Sequence, residues 1–522
     1  MVNDGEVGGG LAQNAFSSTT SKGGLPITAS AAGNGNGSAL NNAGSNGNYW
    51  SATPNSGNSN NAWNLYFNSD NFDWNNNYRY NGQSARALCP LRALAIAPAD
   101  GSPHRLLEDL YRAYLAARQH KRGRSYQIRF EMNQERELVK LRDELWQRSY
   151  EPRPSSCFII HDPKMREVFA ADFRDRIVHH LFYNYTHEIF ERTFIADSYS
   201  CIKGRGTHFG IQRLEHHIRS CSRNWRNPCF ILKLDVKGYF MHIDRRLLLA
   251  RCREILAKVG KRGETDAFNG MDLSFIDYLL EKICLLNPLE NCRIVGERSE
   301  WDKLPKDKTL FHSPIGRGLP IGNLSSQLFS NVYLGMLDEF VKRELKVKHY
   351  GRYVDDLFIV GESKEYVKSL IEPIRGFLRE RLHLELSESK TQICNAWQGV
   401  EFLGAFIKPF RTYVAAHSLR RIRNHIHAIS PRLCMARSQA MVNSSLGVLS
   451  HYDSYLIRKV MIAKSRLPNL GRISSDELRF YPDAYDWAVA RLRETGMRML
   501  SLTRKSGITP SGGKENNLKW KK

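Results

Sequence analysis

Apolar residues recur at three-to-four spacing over residues 105–150, where Leu106, Leu107, Leu110, Tyr111, Tyr114 and Leu115 predict a helical face. Further on the period shortens. Phe230-Ile231-Leu232-Lys233-Leu234 reads as a short strand that ends on Asp235. Val347-Lys348-His349-Tyr350 and Leu357-Phe358-Ile359-Val360 read as two more strands, with Tyr353-Val354-Asp355-Asp356 between them. That arrangement predicts a hairpin with two carboxylates at its tip. Gly399-Val400-Glu401-Phe402-Leu403-Gly404-Ala405-Phe406 reads as a strand pair around a Gly turn. Residues 411–500 are helical in pattern and rich in Arg, as in Leu419-Arg420-Arg421-Ile422-Arg423.

Two carboxylates on one tight turn disfavour each other's ionisation. A lone Asp-Asp pair is usually just a solvated turn. A third acid at a strand end, Asp235, changes the reading. Nucleotidyl transfer uses two cations about 3.5–4 Å apart, one activating the attacking hydroxyl and one holding the leaving pyrophosphate. Mg²⁺ takes a few carboxylates plus phosphate oxygens and water. Asp235, Asp355 and Asp356 would supply that set.

Asp235 followed by Phe240, and then Tyr353-Val354-Asp355-Asp356, resemble motifs A and C of reverse transcriptases. Between them, Gly318-Leu319-Pro320-Ile321-Gly322-Asn323-Leu324-Ser325-Ser326-Gln327 stands where most of that superfamily keeps a Gln-Gly…Ser-Pro pattern. The Ile321-Gly322…Ser326-Gln327 variant is similar to the reverse transcriptases of diversity-generating retroelements, within the group II intron-like and retron-like superfamily. The likeness covers roughly residues 105–500. It implies an α+β right-hand polymerase: N-terminal helices and fingers over 98–231, and a palm of antiparallel sheet and packed helices over 232–410. A finger insertion would occupy about 255–315, a helical thumb 411–500 and a basic tail 501–522.

The resemblance also implies an activity and its residues. The chain would be a bacterial RNA-directed DNA polymerase, a nucleotidyltransferase copying a template-repeat RNA into cDNA with errors at template adenines, for diversification of a target gene. A retron or group II intron-type enzyme without adenine-specific mutagenesis is the alternative. Asp235, Val236, Asp355 and Asp356 would hold two Mg²⁺ ions. Lys390, in a motif D-like run, would be the general acid for pyrophosphate. The deoxynucleoside triphosphate would meet Lys164, Arg166, Arg174, Phe240, Ile321, Gly322, Ser326 and Gln327. Arg offers phosphate a planar fork and Lys a mobile point charge. Phe240 would lie under the sugar and exclude a 2′-hydroxyl. Ile321, in place of a polar Gln, would loosen the pocket. Lys203 and Arg205, in a Gly-flanked loop, and Phe402, Leu403 and Gly404, in a motif E-like primer grip, would touch template and primer. Partners would be template RNA, nascent cDNA and an oligomer of a small basic accessory variability protein.

Charge sharpens this picture. The net charge of the 522-residue chain is +23. Lys22, Arg79, Arg86 and Arg92 balance Asp4, Glu6, Asp70 and Asp73 in residues 1–97, so the whole excess lies in 98–522. Such a basic body is the footprint of a polyanion. No run is apolar enough to span a membrane and no secretory signal is visible. The ten cysteines form no Cys-x-x-Cys, which fits buried thiols in a reducing cytoplasm. His179-His180 and His216-His217 read as core or helix-surface residues rather than metal ligands. Lys121-Arg122-Gly123-Arg124 is either a solvated helix end or an RNA contact.

The first 97 residues are a different polymer. From Asn34 to Asn81, 17 of 48 positions are Asn. The run resembles the end of the C-type-lectin-like targets that these retroelements diversify. One reading is a fused display module; the favoured one is a translated template repeat, because Asn codons begin with two adenines. That reading predicts disorder over 1–97.

Overall fold

The computed structural model describes residues 102–119, 124–161, 164–261, 268 and 270–495, together with short backbone strands between residues 34 and 83. Gly47–Pro54, Asn61–Phe67 and Phe72–Tyr78 pair as antiparallel backbone strands, with Leu65 opposite Trp74 and Phe67 opposite Phe72. In Asn61–Phe67, Trp63, Leu65 and Phe67 recur at every second position, a strand period. The rest of 1–97, Lys121 to Gly123 and the tail 501–522 lie outside the described residues.

The chain divides into two compact units: residues 1–153, 171–185 and 264–282, and residues 154–170, 186–263 and 283–522. The expected boundary at residues 231 and 232 falls inside the second unit. Over residues 103–146 the first unit is helical. Pro103–Arg118 begins with Ser102, whose hydroxyl accepts from Arg105 N, and with Pro at the first turn, where no amide partner is needed. Leu106, Leu110, Ala113 and Tyr114 are buried, as the spacing predicts, whereas Leu115 is exposed. Leu138, Leu141 and Leu145 of Gln134–Trp146 repeat the pattern.

The second unit holds the palm. We label Phe230–Asp235 β1, His349–Tyr353 β2, Asp356–Gly361 β3 and Gln392–Asn395 β4; they form one antiparallel sheet in the order β2-β3-β1-β4. Ile231, Leu232, Leu234 and Leu357 to Val360 are buried, so the two central strands read as near-continuous apolar runs. Helices α1 (Thr207–Cys221) and α2 (Leu324–Glu339) also belong to this unit, and α1 packs Ile211, Leu214 and Ile218 into the core beneath the sheet. A second sheet, β5 (Val400–Phe402), β6 (Ala405–Lys408) and β7 (Arg411–Val414), completes that core with Val400, Phe402, Ala405 and Ile407. Finger strands Ser155–Ile160 and Arg166–Ala170 pair antiparallel, and Cys292–Ile294 adds parallel to the first. Beyond β7, the helices Ala416–His427, Met435–Leu449, Tyr455–Ala463 and Ala484–Thr495 enclose a separate core of Ile422, Ile426, Leu446, Leu449 and Phe480. No described helix is long and apolar enough to cross a membrane.

Candidate active site

The hairpin expected at 353–356 is present. Tyr353 pairs with Asp356 across a two-residue connection, and Val354 takes φ +55° while Asp355 does not enter the left-handed region. Positive φ at the first central residue alone is the pattern of a II′ hairpin turn. A β-branched residue there is strained, by roughly 1–3 kcal/mol. Next door, β1 places Asp235 directly opposite Asp356 in register. The register brings together acids more than a hundred positions apart in the chain.

The residues after Asp235 are fixed by the segment before Lys390. Val236 bridges Leu386, Lys237 N donates to Glu385 O at 2.9 Å, and Ser387 N donates to Asp235 O at 2.8 Å. The Glu388–Lys390 turn then aims Lys390 back, and its Nζ lies 2.8 Å from both carboxylate oxygens of Asp235. Burial lowers the Lys390 ammonium, but its hydrogen bond to Asp235 and the charges of all three acids outweigh that and raise it. Burial pushes the Asp355 carboxyl up to about 7, and the charges of Asp356 and Asp235 add to the shift. Desolvation raises Asp356 too, then the charge of Asp235, although its side chain still reaches the surface. Three carboxyls whose charges resist joint ionisation, with one ammonium on Asp235, have the chemistry of ligands to a hard divalent cation, although among the described residues no three such side chains are yet drawn together closely enough to grip one.

A second constellation surrounds Phe240. It lies on the short helix Tyr239–His242 and packs with Ile321 against Cys157, Phe169, Met241 and Leu310. Leu319 N donates to Phe240 O and Phe169 N to Ile321 O, both at 2.8 Å. Gly322 sits at φ +129°, and a Cβ there would come within 2.6 Å of Phe169 O, so this close approach of loop to finger strand requires glycine. Ser326 is buried and Gln327 exposed on the first turns of α2. Lys164 and Arg166 are exposed, Arg166 at the start of its strand.

Three assignments are corrected. Arg174 is buried in the helical unit, its guanidinium against Glu144, the Glu151 carbonyl and Asp175 and stacked on the Tyr150 ring. It presents no free edge for a triphosphate. Arg205 Nη1 donates to the carbonyls of Ile195, Ala196 and Ser198, so it braces its own loop, whereas Lys203 is exposed. Phe402 is a core residue, edge-on to Phe358 at 5.3 Å; the accessible part of the grip is the Leu403-Gly404 turn. Of the paired histidines, His179 and His217 are buried. His217 lies 3.1 Å from Asp197 and from His349.

The pattern did not point to Glu167, a buried carboxylate that accepts from Trp301 Nε1, Thr309 Oγ1 and Leu310 N at 2.6–2.8 Å. It ties the 298–312 segment to the strand carrying Arg166. Nor did it point to Arg352 and Asp338, a buried pair beneath the acid-bearing turn. A charged residue on a strand or helix reads as solvent-facing until its partner on another element is in view, which hides both.

Residues 161–407 match the family described as reverse transcriptase (RNA-dependent DNA polymerase). The chain is 22% identical over 313 residues to the group II intron-encoded protein LtrA of Lactococcus lactis subsp. cremoris, covering 53% of this chain and 51% of that protein. It thus spans about half the length of the curated relatives it matches. Among solved structures it is similar to apo telomerase from Candida tropicalis (12% identity, TM-score 0.38, 60% of this chain and 57% of that one). It is also similar to telomerase from Candida albicans in complex with a telomeric RNA fragment (11% identity, TM-score 0.35, 60% and 56%). All three predicted acids, Phe240, Ile321 and Lys390 fall inside the segment that matches the reverse transcriptase family.

Proposed function

We propose that the chain is an RNA-directed DNA polymerase that copies a template-repeat RNA into cDNA, inaccurately at template adenines, to diversify a target gene. The observation that carries the polymerase reading is the register of Asp356 against Asp235, with Asp355 beside them and Lys390 Nζ on Asp235. Asp235, Asp355, Asp356 and the Val236 carbonyl are the groups that would hold two Mg²⁺ ions, which supply Lewis-acid activation of the attacking hydroxyl and charge neutralisation at the leaving group. In the reaction the primer 3′-hydroxyl gives up its proton to solvent, its oxygen bonds to the α-phosphorus, the bond from that phosphorus to the oxygen shared with the β-phosphate breaks, and pyrophosphate departs. Lys390, protonated beside Asp235, is placed to give that leaving group its proton. Phe240 closes the sugar side of the pocket, and exposed Lys164 and Arg166 are the cations left to meet phosphate once Arg174 is removed from the set.

The diversifying part of the reading rests on Ile321, an apolar side chain packed with Phe240 where a polar one is common in the superfamily. On the same reading, residues 1–97 are a translated template repeat, the accessory partner is a small basic protein and the compartment is the cytoplasm. The test is primer extension on an adenine-containing RNA, with the cDNA sequenced. Substitutions concentrated opposite adenine, reduced by Ile321→Gln, are expected. A uniform error spectrum indifferent to that change would leave a retron or group II intron-type enzyme instead.

A further inference from the structure

Directly under the acid-bearing turn lies a side chain that the chemistry above does not use. Arg352 is fully buried. Its Nε lies 3.0 and 3.2 Å from the two carboxylate oxygens of Asp338, and its Nη2 2.7 Å from one of them. The same carboxylate accepts from the Tyr350 hydroxyl at 2.6 Å. The remaining nitrogen, Nη1, bridges two acceptors: Asn331 Oδ1 at 3.1 Å and the Val354 carbonyl at 3.0 Å. Asn331 is itself held, its Nδ2 donating to Ser200 O at 2.8 Å. Asn331 and Asp338 stand seven residues apart on α2, two turns along one face.

A buried ion pair is weak evidence for stability, since apolar packing often does as well. Arg352 and Asp338 would satisfy each other without the Nη1 contact. That third bond ends on the carbonyl of Val354, the β-branched residue held at positive φ next to Asp355. The planar fork of Arg reaches both directions at once; an ammonium of the same charge does not.

We propose that Arg352 is a positioning residue: anchored on α2 by Asp338 and Asn331, it holds the strained Val354 turn at the height where Asp355 and Asp356 meet Asp235. The proposal rests on the reading of those three acids as cation ligands. Arg352 touches no reacting atom and acts through the turn.

The experiment uses the full chain in primer extension with titrated Mg²⁺, beside thermal unfolding. Activity in the wild type and its loss in Asp355→Ala establish the reading itself; an inactive wild type sinks both. Given activity, Arg352→Lys is expected to lower kcat about 10- to 100-fold, the usual effect of an outer-sphere partner. It should raise the Mg²⁺ concentration for half-maximal rate and leave template–primer Kd unchanged. Val354→Gly, which adopts the turn's φ without strain, should recover part of kcat in the Arg352→Lys background and none in the wild type. If Arg352→Lys does not fold, Asn331→Ala keeps the ion pair and removes the lateral brace, and the same shift in Mg²⁺ dependence is expected. A folded Arg352→Lys or Asn331→Ala with wild-type kcat and Mg²⁺ dependence overturns the proposal. So does a loss that Val354→Gly fails to relieve.

Discussion

Two hairpins of the palm unit turn in two residues each, yet by opposite means. The turn at 354–355 places a β-branched residue at φ +55° and crowds acids around it. The turn at 403–404 has positive φ at both central residues, +49° at Leu403 and +83° at Gly404, the I′ pattern in which Gly is favoured. The second is a local solution: its strands pack Phe402 and Ala405 into the core and Gly supplies the backbone freedom. The first is a non-local one, braced from α2 and crowded by a charge from β1. The folding turn has a glycine at one of its two left-handed positions; the acid-bearing turn has none at its single left-handed position.

The largest expected contrast is in activity. Asp355→Ala with Asp356→Ala should abolish primer extension in Mg²⁺, whereas Gly404→Ala should leave extension measurable. If the acid pair is dispensable for extension, the two turns differ only in geometry. Next in size is sugar choice: Phe240→Ala is expected to admit ribonucleotides with a gain in their incorporation of about 10- to 200-fold, the range for one shape contact. Competition between ribo- and deoxynucleotides in one extension reaction measures it, and unchanged selectivity would make Phe240 only a member of its apolar cluster.

The third contrast is in pH. Asp355 has its folded-state carboxyl raised to about 7 from an ordinary 3.8. A raised acid favours folding fully below its unfolded value and loses that contribution as pH rises through about 7. Without divalent cations the protein should therefore melt lower at pH 8 than at pH 6, Asp355→Asn should flatten that dependence, and Mg²⁺ should restore the loss at pH 8. Calorimetric scans across that window decide it. The smallest effect belongs to the other turn: Gly404→Ala forces an L side chain into positive φ, with its Cβ 3.0 Å from Ser418 Oγ, and should cost about 1–2 kcal/mol with no pH dependence.

The acids were legible because strand period and turn chemistry lie close together in the chain, and a one-residue slip of β3 against β1 would have moved Asp356 to the other face. Lys390, Phe240 and Ile321 were each singled out through motif order; that Phe240 and Ile321 pack into one apolar cluster was not. The errors share a cause. Arg174, Arg205 and Phe402 were assigned to ligands from their neighbours in sequence, but their partners are folding partners: Glu144 thirty positions upstream, a ring of carbonyls, and the Phe358 ring. Neither charge nor aromaticity reveals whether a side chain faces a cleft or a core. Arg352 was invisible for the complementary reason, since a charge inside a strand reads as a solvent-facing position until its carboxylate on α2 is in view.

The carboxylate of Glu167 bears on motion. Three donors from 301–310 converge on it, while two residues further along the same strand Phe169 N is tied to Ile321. Insertion, finger strand and pocket loop are thereby sewn at two points a few ångströms apart. Any swing of the finger sheet would carry the floor of the pocket with it, so that closing over a substrate and reshaping the cavity beneath it become a single displacement.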